Sequence, residues 1–170
     1  MTETPDAEAM QVLTFDVHGE TFALDAGLVR EVLDISPETA VPGAAPFVDA
    51  VINFRGRVIP LADLRLAFGL ERGETTIDSR VVVIEHDLAG EPTLIGLRAD
   101  KVHEVTTIAA ADTEEAPRVG LSWRPDFIRR LARRDGDVIV IPDLDQIFAT
   151  RGGTRGGFAP PASAKPSDVK

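Results

Sequence analysis

A chain of 170 residues, 44% hydrophobic and 27% charged, has the size and balance of one folded domain or two very small ones, and it holds no run of about 18 or more apolar residues that would span a membrane. A net charge of -10 repels phosphate backbones and anionic lipid, and 5% aromatics, with one Trp and no Tyr, provide no stacking platform, so nucleic acid and membrane insertion are set aside as default partners. The absence of cysteine removes disulfides, thiolate metal sites and a cysteine nucleophile together, and fits a reducing, cytoplasmic compartment.

Residues 1–10 are acidic and polar, lack the basic start and apolar stretch of a secretory signal, and read as a loose tail. Leu13, Phe15 and Val17 then alternate with polar neighbours, His18-Gly19 marks a turn, and Phe22 and Leu24 resume the pattern, which predicts a hairpin over 11–25. Residues 29–34 alternate again. The apolar runs 50–54 and 58–61 flank Arg55-Gly56-Arg57, and 80–86 and 93–98 flank another hairpin turn at 87–92. Residues 102–108, 127–133 and 138–141 complete a set of about ten short strands, at spacings typical of barrels or sandwiches.

Helices are few and short. Asp63 and Asp143 are placed to cap helical turns over 64–69 and 144–150, since an aspartate oxygen accepts the free N–H groups of a first turn, and Gly69 stands where the first would stop. A further single turn is expected at 46–50. Residues 109–125, with Pro117, Gly120 and Pro125, read as a long connection. Residues 151–170 are rich in Gly, Pro, Ala and Ser, are locally basic, and read as a second solvated tail, leaving 11–150 as the folded part.

The chain repeats itself. Gly56, Val58, Ile59, Asp63, Leu64 and Phe68 match Gly136, Val138, Ile139, Asp143, Leu144 and Phe148 at a constant offset of 80 residues. Upstream of each, Leu24, Ala26, Val29, Glu31 and Val32 match Leu97, Ala99, Val102, Glu104 and Val105 at an offset of 73. Each half therefore reads as one small unit: a strand ending V-x-E-V, a glycine turn, a V-I strand and an Asp-capped turn. A unit this small buries little area alone, so two must share a core, and a cleft between them is the natural binding site.

Together these residues resemble the CheW family of bacterial chemotaxis coupling proteins, over about residues 12–150. The most specific stretch is 48–70, where Asn53, Arg55, Gly56, Ile59, Pro60, Asp63, Leu64, Arg65, Phe68 and Gly69 fit the family pattern; Val29, Glu31 and Val32 fit its earlier V-x-E-V. The resemblance implies an all-β fold of two SH3-like five-stranded β-barrel subdomains sharing a hydrophobic core, with a few short helices. It also implies a non-catalytic adaptor, without cofactor, metal or catalytic residues, that joins chemoreceptor cytoplasmic tips to the regulatory domain of a CheA-type histidine kinase at membrane-associated arrays. Two alternatives stay open: a CheW-like scaffold for a non-chemotaxis kinase pathway, and a ligand-binding β-barrel.

The expected partner-binding residues are Val29, Glu31, Val32, Ala50, Asn53, Phe54, Arg55 and Gly56. The resemblance implies that the strand at 29–32 and the turn at 53–56 contact kinase and receptor. On the residues themselves, the valines read equally as core and Glu31 as a solvent charge. Arg55, on a glycine turn, presents a planar fork suited to a partner's carboxylate, or pairs within the chain with Asp63 or Asp49. Asn53 fixes the turn through nearby backbone. Phe54 and Ala50 depart from the family's usual residues there. Arg129, Arg130, Arg133 and Arg134 crowd one strand, read first as a solvated edge that blocks aggregation and second as a mark of an acidic partner. Asp100, His103 and Glu104 form a close acid–histidine group, and neighbours on a strand point to opposite faces, so they do not converge on a reaction centre.

Overall fold

Alternating apolar and polar residues, punctuated by X-Gly pairs, drive most of the chain into antiparallel hairpins. The computed structural model describes residues 9–35, 38–41, 48–68, 70, 74–116 and 125–152. In these lie β1 (Ala9–Val17), β2 (Glu20–Asp25), β3 (Val29–Asp34), β4 (Thr39–Ala40), β5 (Val48–Phe54), β6 (Arg57–Ala62), β7 (Arg80–Leu88), β8 (Glu91–Ala99), β9 (Lys101–Ala109), β10 (Thr113–Glu114), β11 (Ile128–Arg134) and β12 (Asp137–Pro142). Two helices join them, α1 (Leu64–Ala67) and α2 (Leu144–Gly152).

Four hairpins close through two-residue turns: His18-Gly19, Arg55-Gly56, Ala89-Gly90 and Asp135-Gly136. Both residues of every turn have positive φ, between 53° and 86°. That backbone matches the right-handed twist of the flanking strands, and the glycine adopts it without a Cβ clash.

The strands form two curled sheets with the same order. One runs β3-β7-β8-β6-β5-β4, the other β9-β1-β2-β12-β11-β10. Each contains one parallel contact at the equivalent place, β6 with β8 (Leu61 opposite Gly96) and β12 with β2 (Ile139 opposite Thr21). A Cβ on Gly96 would stand 2.9 Å from Val81 Cγ1 of β7 and 3.3 Å from Leu61 Cδ1 of β6, so close packing from both neighbouring strands favours glycine here. These are the two SH3-like subdomains expected, each with a two-residue sixth strand at its edge.

The sheets do not coincide with the sequence repeats. Hairpin β1–β2 belongs to the sheet built from β9–β12, and hairpin β7–β8 to the sheet built from β3–β6. Each half thus lends its hairpin to the other. Leu13, Phe15, Phe22 and Leu24 of one sheet, Val82, Ile84, Ile95 and Leu97 of the other, Leu64, Leu144 and Phe148 from the helices, and Phe68 just after α1 form one core. Phe15, Phe22, Phe68 and Phe127 run through it with successive ring centroids 5.7–6.0 Å apart. Full burial of such side chains is worth about 1.5–3 kcal/mol each. Separate clusters fill each sheet's own curl: Ala50, Ile52, Phe54, Ile59, Leu61, Val81 and Val83 in one, Val12, Ala23, Ile108, Ala132, Ile139 and Ile141 in the other.

Local expectations hold at the caps. Asp63 Oδ1 accepts the Arg65 N–H at 3.0 Å and Asp143 Oδ1 that of Gln146 at 3.1 Å. The turn expected at 46–50 is overturned from Val48 onward, where β5 pairs with β6 and Ala50 is buried; cross-strand hydrogen bonds and burial outweigh the local proline signal. Residues 46 and 47, and Gly69, lie outside the described residues. Within the expected connection 109–125, a 3-10 turn (Ala110–Asp112) and β10 intervene, and β10 pairs with Ala132 and Leu131. Strand β1 begins at Ala9 and α2 runs to Gly152, each two residues beyond the expected folded part.

Candidate functional site

The turn that joins β5 to β6 holds its arginine in a fixed pose. Asn53 Oδ1 accepts the Gly56 N–H at 3.1 Å, which closes the turn and leaves Arg55 at its tip with φ 54°. The Arg55 guanidinium then reaches across to β3, where Nε and Nη2 both donate to Glu31 Oε1, at 3.0 and 2.6 Å. Its guanidinium carbon lies 5.4 Å from the centroid of the Phe54 ring, a cation–π contact. Residues 24 positions apart in sequence thus form one clamp, and the intrachain partner is Glu31 and not Asp63, which faces Arg98 at 3.6 Å.

The Arg55 side chain is 71% exposed and Glu31 34%. A pair this open contributes about 0–1 kcal/mol to folding. Its physical consequence is orientation: two donors are satisfied, and the guanidinium's remaining donors are presented at the surface without an entropic cost still to be met on binding.

The other expected residues divide by burial. Asn53 is exposed beside the turn, and Val32 is 39% exposed on the face of β3 opposite Glu31. Val29 is half-buried against the shared core. Ala50 and Phe54 are buried in the first sheet's curl and shape the surface from beneath. Two residues were missed. Val58, directly opposite Asn53, is 70% exposed, and Val105 is 58% exposed. The repeat held that signal: Val58 and Val138 are matched positions, as are Val32 and Val105, and all four are exposed apolar residues.

In the second sheet the position matched to Glu31 is Glu104, and the turn residue matched to Arg55 is Asp135; both are acidic and exposed. There the fold repeats and the clamp does not. His103 Nε2 instead meets Asp16 Oδ2 at 3.0 Å, away from Glu104, and Asp100 receives the His18 N–H at 2.8 Å and pairs with Arg65. Among the described residues no three His, Cys, Asp or Glu side chains group as metal ligands. Among the described residues no helix is long and apolar enough to cross a membrane.

Comparison with known proteins places this geometry. The family model for the CheW-like domain matches residues 11–152. The chain is 27% identical over 138 residues to the chemotaxis protein CheW of Rhizobium meliloti, covering 81% of this chain and 86% of that one. It is 27% identical over 140 residues to that of Bacillus subtilis, with the same coverage. The crystal structure of the scaffolding protein TtCheW from Thermoanaerobacter tengcongensis superimposes with a TM-score of 0.71 at 31% identity, covering 82% of this chain and 87% of that chain.

Proposed function

The chain belongs to the CheW family of chemotaxis scaffold proteins, and from that premise we propose that it couples chemoreceptor signalling tips to a CheA-type histidine kinase by binding both, without catalysis of its own. The observation that carries this reading is the Glu31–Arg55 clamp, an oriented and largely exposed guanidinium with exposed Val32 and Val58 near it along the chain. Arginine and flanking apolar groups of this kind make the anchor of a protein interface. The kinase's regulatory domain, itself CheW-like, meets the face built from Val29, Glu31 and Val32 and the 53–56 turn, with Ala50 and Phe54 fixing the turn's shape. A receptor helix lays its apolar stripe against a separate groove. Coupling is then differential stabilisation: the assembly holds the kinase in an arrangement that the receptor biases. Its place of action is the cytoplasmic side of receptor arrays.

The test is capture of kinase regulatory domain and receptor tip by the wild type, Glu31→Ala, Arg55→Ala and the charge-exchanged pair E31R/R55E. Both alanine variants are expected to keep their melting temperature and weaken capture of at least one partner by tenfold or more. The exchanged pair is expected to restore the internal contact and not the capture. Unchanged capture by all variants, or receptor control of kinase phosphorylation that persists without this chain, would refute the reading.

A further inference from the structure

The arginine-rich strand β11 does not behave as a uniform solvated edge. Arg133 pairs with Glu114 at 2.9 Å, and Arg134 donates to the Thr107 carbonyl at 3.3 Å. Arg130 and Arg129 instead line a cavity of about 410 Å³ at the open end of the second sheet's curl, whose floor is Met10, Ile108 and Ile141. Arg130 Nε donates to Thr113 Oγ1, a neutral acceptor, at 2.7 Å. Arg129 is exposed and has no hydrogen bond or ion pair among the described residues.

The first sheet provides the control. Its equivalent end is marked by Ile35, the position matched to Ile108, and Ala50 stands buried where the second sheet has Arg130. A smaller cavity that Ile35 also lines, about 170 Å³, contains two arginines, Arg65 and Arg98, and each is met by a carboxylate of the chain: Asp100 pairs with Arg65, and Glu38 meets the Arg98 guanidinium with both its oxygens. One end of the duplicated fold is neutralised internally. The other presents two cations over an apolar floor, in a protein whose net charge is -10.

We propose that this cavity docks an acidic segment of a protein partner, in which a Glu or Asp side chain sits on Arg129 and Arg130 while an aliphatic side chain two positions away enters the Met10–Ile108–Ile141 floor. An extended segment puts residues i and i+2 on one face, so a single strand meets both features. Charge-assisted bonds from arginine give the carboxylate its selectivity, and the apolar floor adds affinity that a bare anion lacks. This site lies apart from the Glu31–Arg55 clamp and does not rest on the coupling reading.

The experiment titrates the full chain with the end-blocked peptide Gly-Leu-Ser-Glu-Gly, following the Met10, Ile108 and Ile141 methyl signals and the Arg129 Nε–H by NMR. Saturable shifts at these groups are expected. Exchange of Glu for Gln, or of Leu for Ser, in the peptide should weaken binding about tenfold or more, as should Arg129→Glu and the milder Arg129→Gln. Arg133→Glu, outside the cavity, should stay within about twofold of wild type. Absence of a saturable shift up to about 5 mM peptide overturns the proposal. So does an equal loss in the Arg129 and Arg133 variants, since that reports diffuse charge and no site. The peptide exchanges need no protein variant and decide the matter even if one fails to fold.

Discussion

The two sheets share strand order, turn geometry and capping aspartates, yet they differ at several places where a side chain leaves the core. In the first, the β5–β6 turn holds an arginine that grips Glu31; in the second, the matched residues are Asp135 and Glu104, two carboxylates. At the other end of each curl the contrast reverses: Arg98 is neutralised by Glu38 in the first sheet, while Arg129 and Arg130 face an open cavity in the second. Shared packing constrains inward positions by volume, so the duplicated core stays similar. Outward positions carry no such constraint, and there each copy has acquired its own chemistry.

The largest expected effect tests whether the sheets are energetically one body. Phe22→Ala, in the shared core, should cost about 3–5 kcal/mol and leave a single unfolding transition, with amide protection lost equally at Val82 of the other sheet. Two separate transitions in denaturant would show independent halves and break the picture of exchanged hairpins. Next come the matched caps. Asp63 is 1% exposed and faces Arg98, whereas Asp143 is only partly buried. Asp143→Ala should cost about 0.5–2 kcal/mol as a lost cap. Asp63→Ala should exceed it by about 1 kcal/mol or more, because it also removes a buried carboxylate that faces the partly buried Arg98; equal losses in thermal melts would make the two ends equivalent after all. The smallest effect comes from building the clamp where it is missing. Asp135→Arg, opposite Glu104, should stabilise by at most about 1 kcal/mol and leave capture of partners through Glu31 and Arg55 unchanged, read by the same pull-down.

Much of the architecture was legible because it is encoded locally. The X-Gly pairs announce left-handed turn residues, and all four places where they stand between alternating segments are two-residue hairpin turns. Asp63 and Asp143 cap within three residues of themselves. Strands β4 and β10 escaped notice because two residues carry no period, and Val48 and Asp49 fall to an expected turn, with Ala50 shared between turn and strand, because a nearby proline signals a turn more loudly than two residues signal a strand. The site was half legible. Asn53, Arg55 and Gly56 belong to one turn, so their association follows from sequence. The partner of Arg55 did not: nearby acids looked nearer along the chain, and Glu31 becomes its neighbour only when the sheet curls.

Alternation, turn glycines and the internal repeat determined that this chain makes hairpins, that it makes them twice, and that short capped helices close each set, since those properties depend on neighbours a few residues apart. Tertiary structure decided that each repeat lends its hairpin to the other, that Glu31 meets Arg55, and that Arg98 is neutralised where Arg129 is not. Strand partners and ion pairs are chosen by which arrangement buries the most apolar surface across the whole molecule, and that choice cannot be read from any one stretch of the chain.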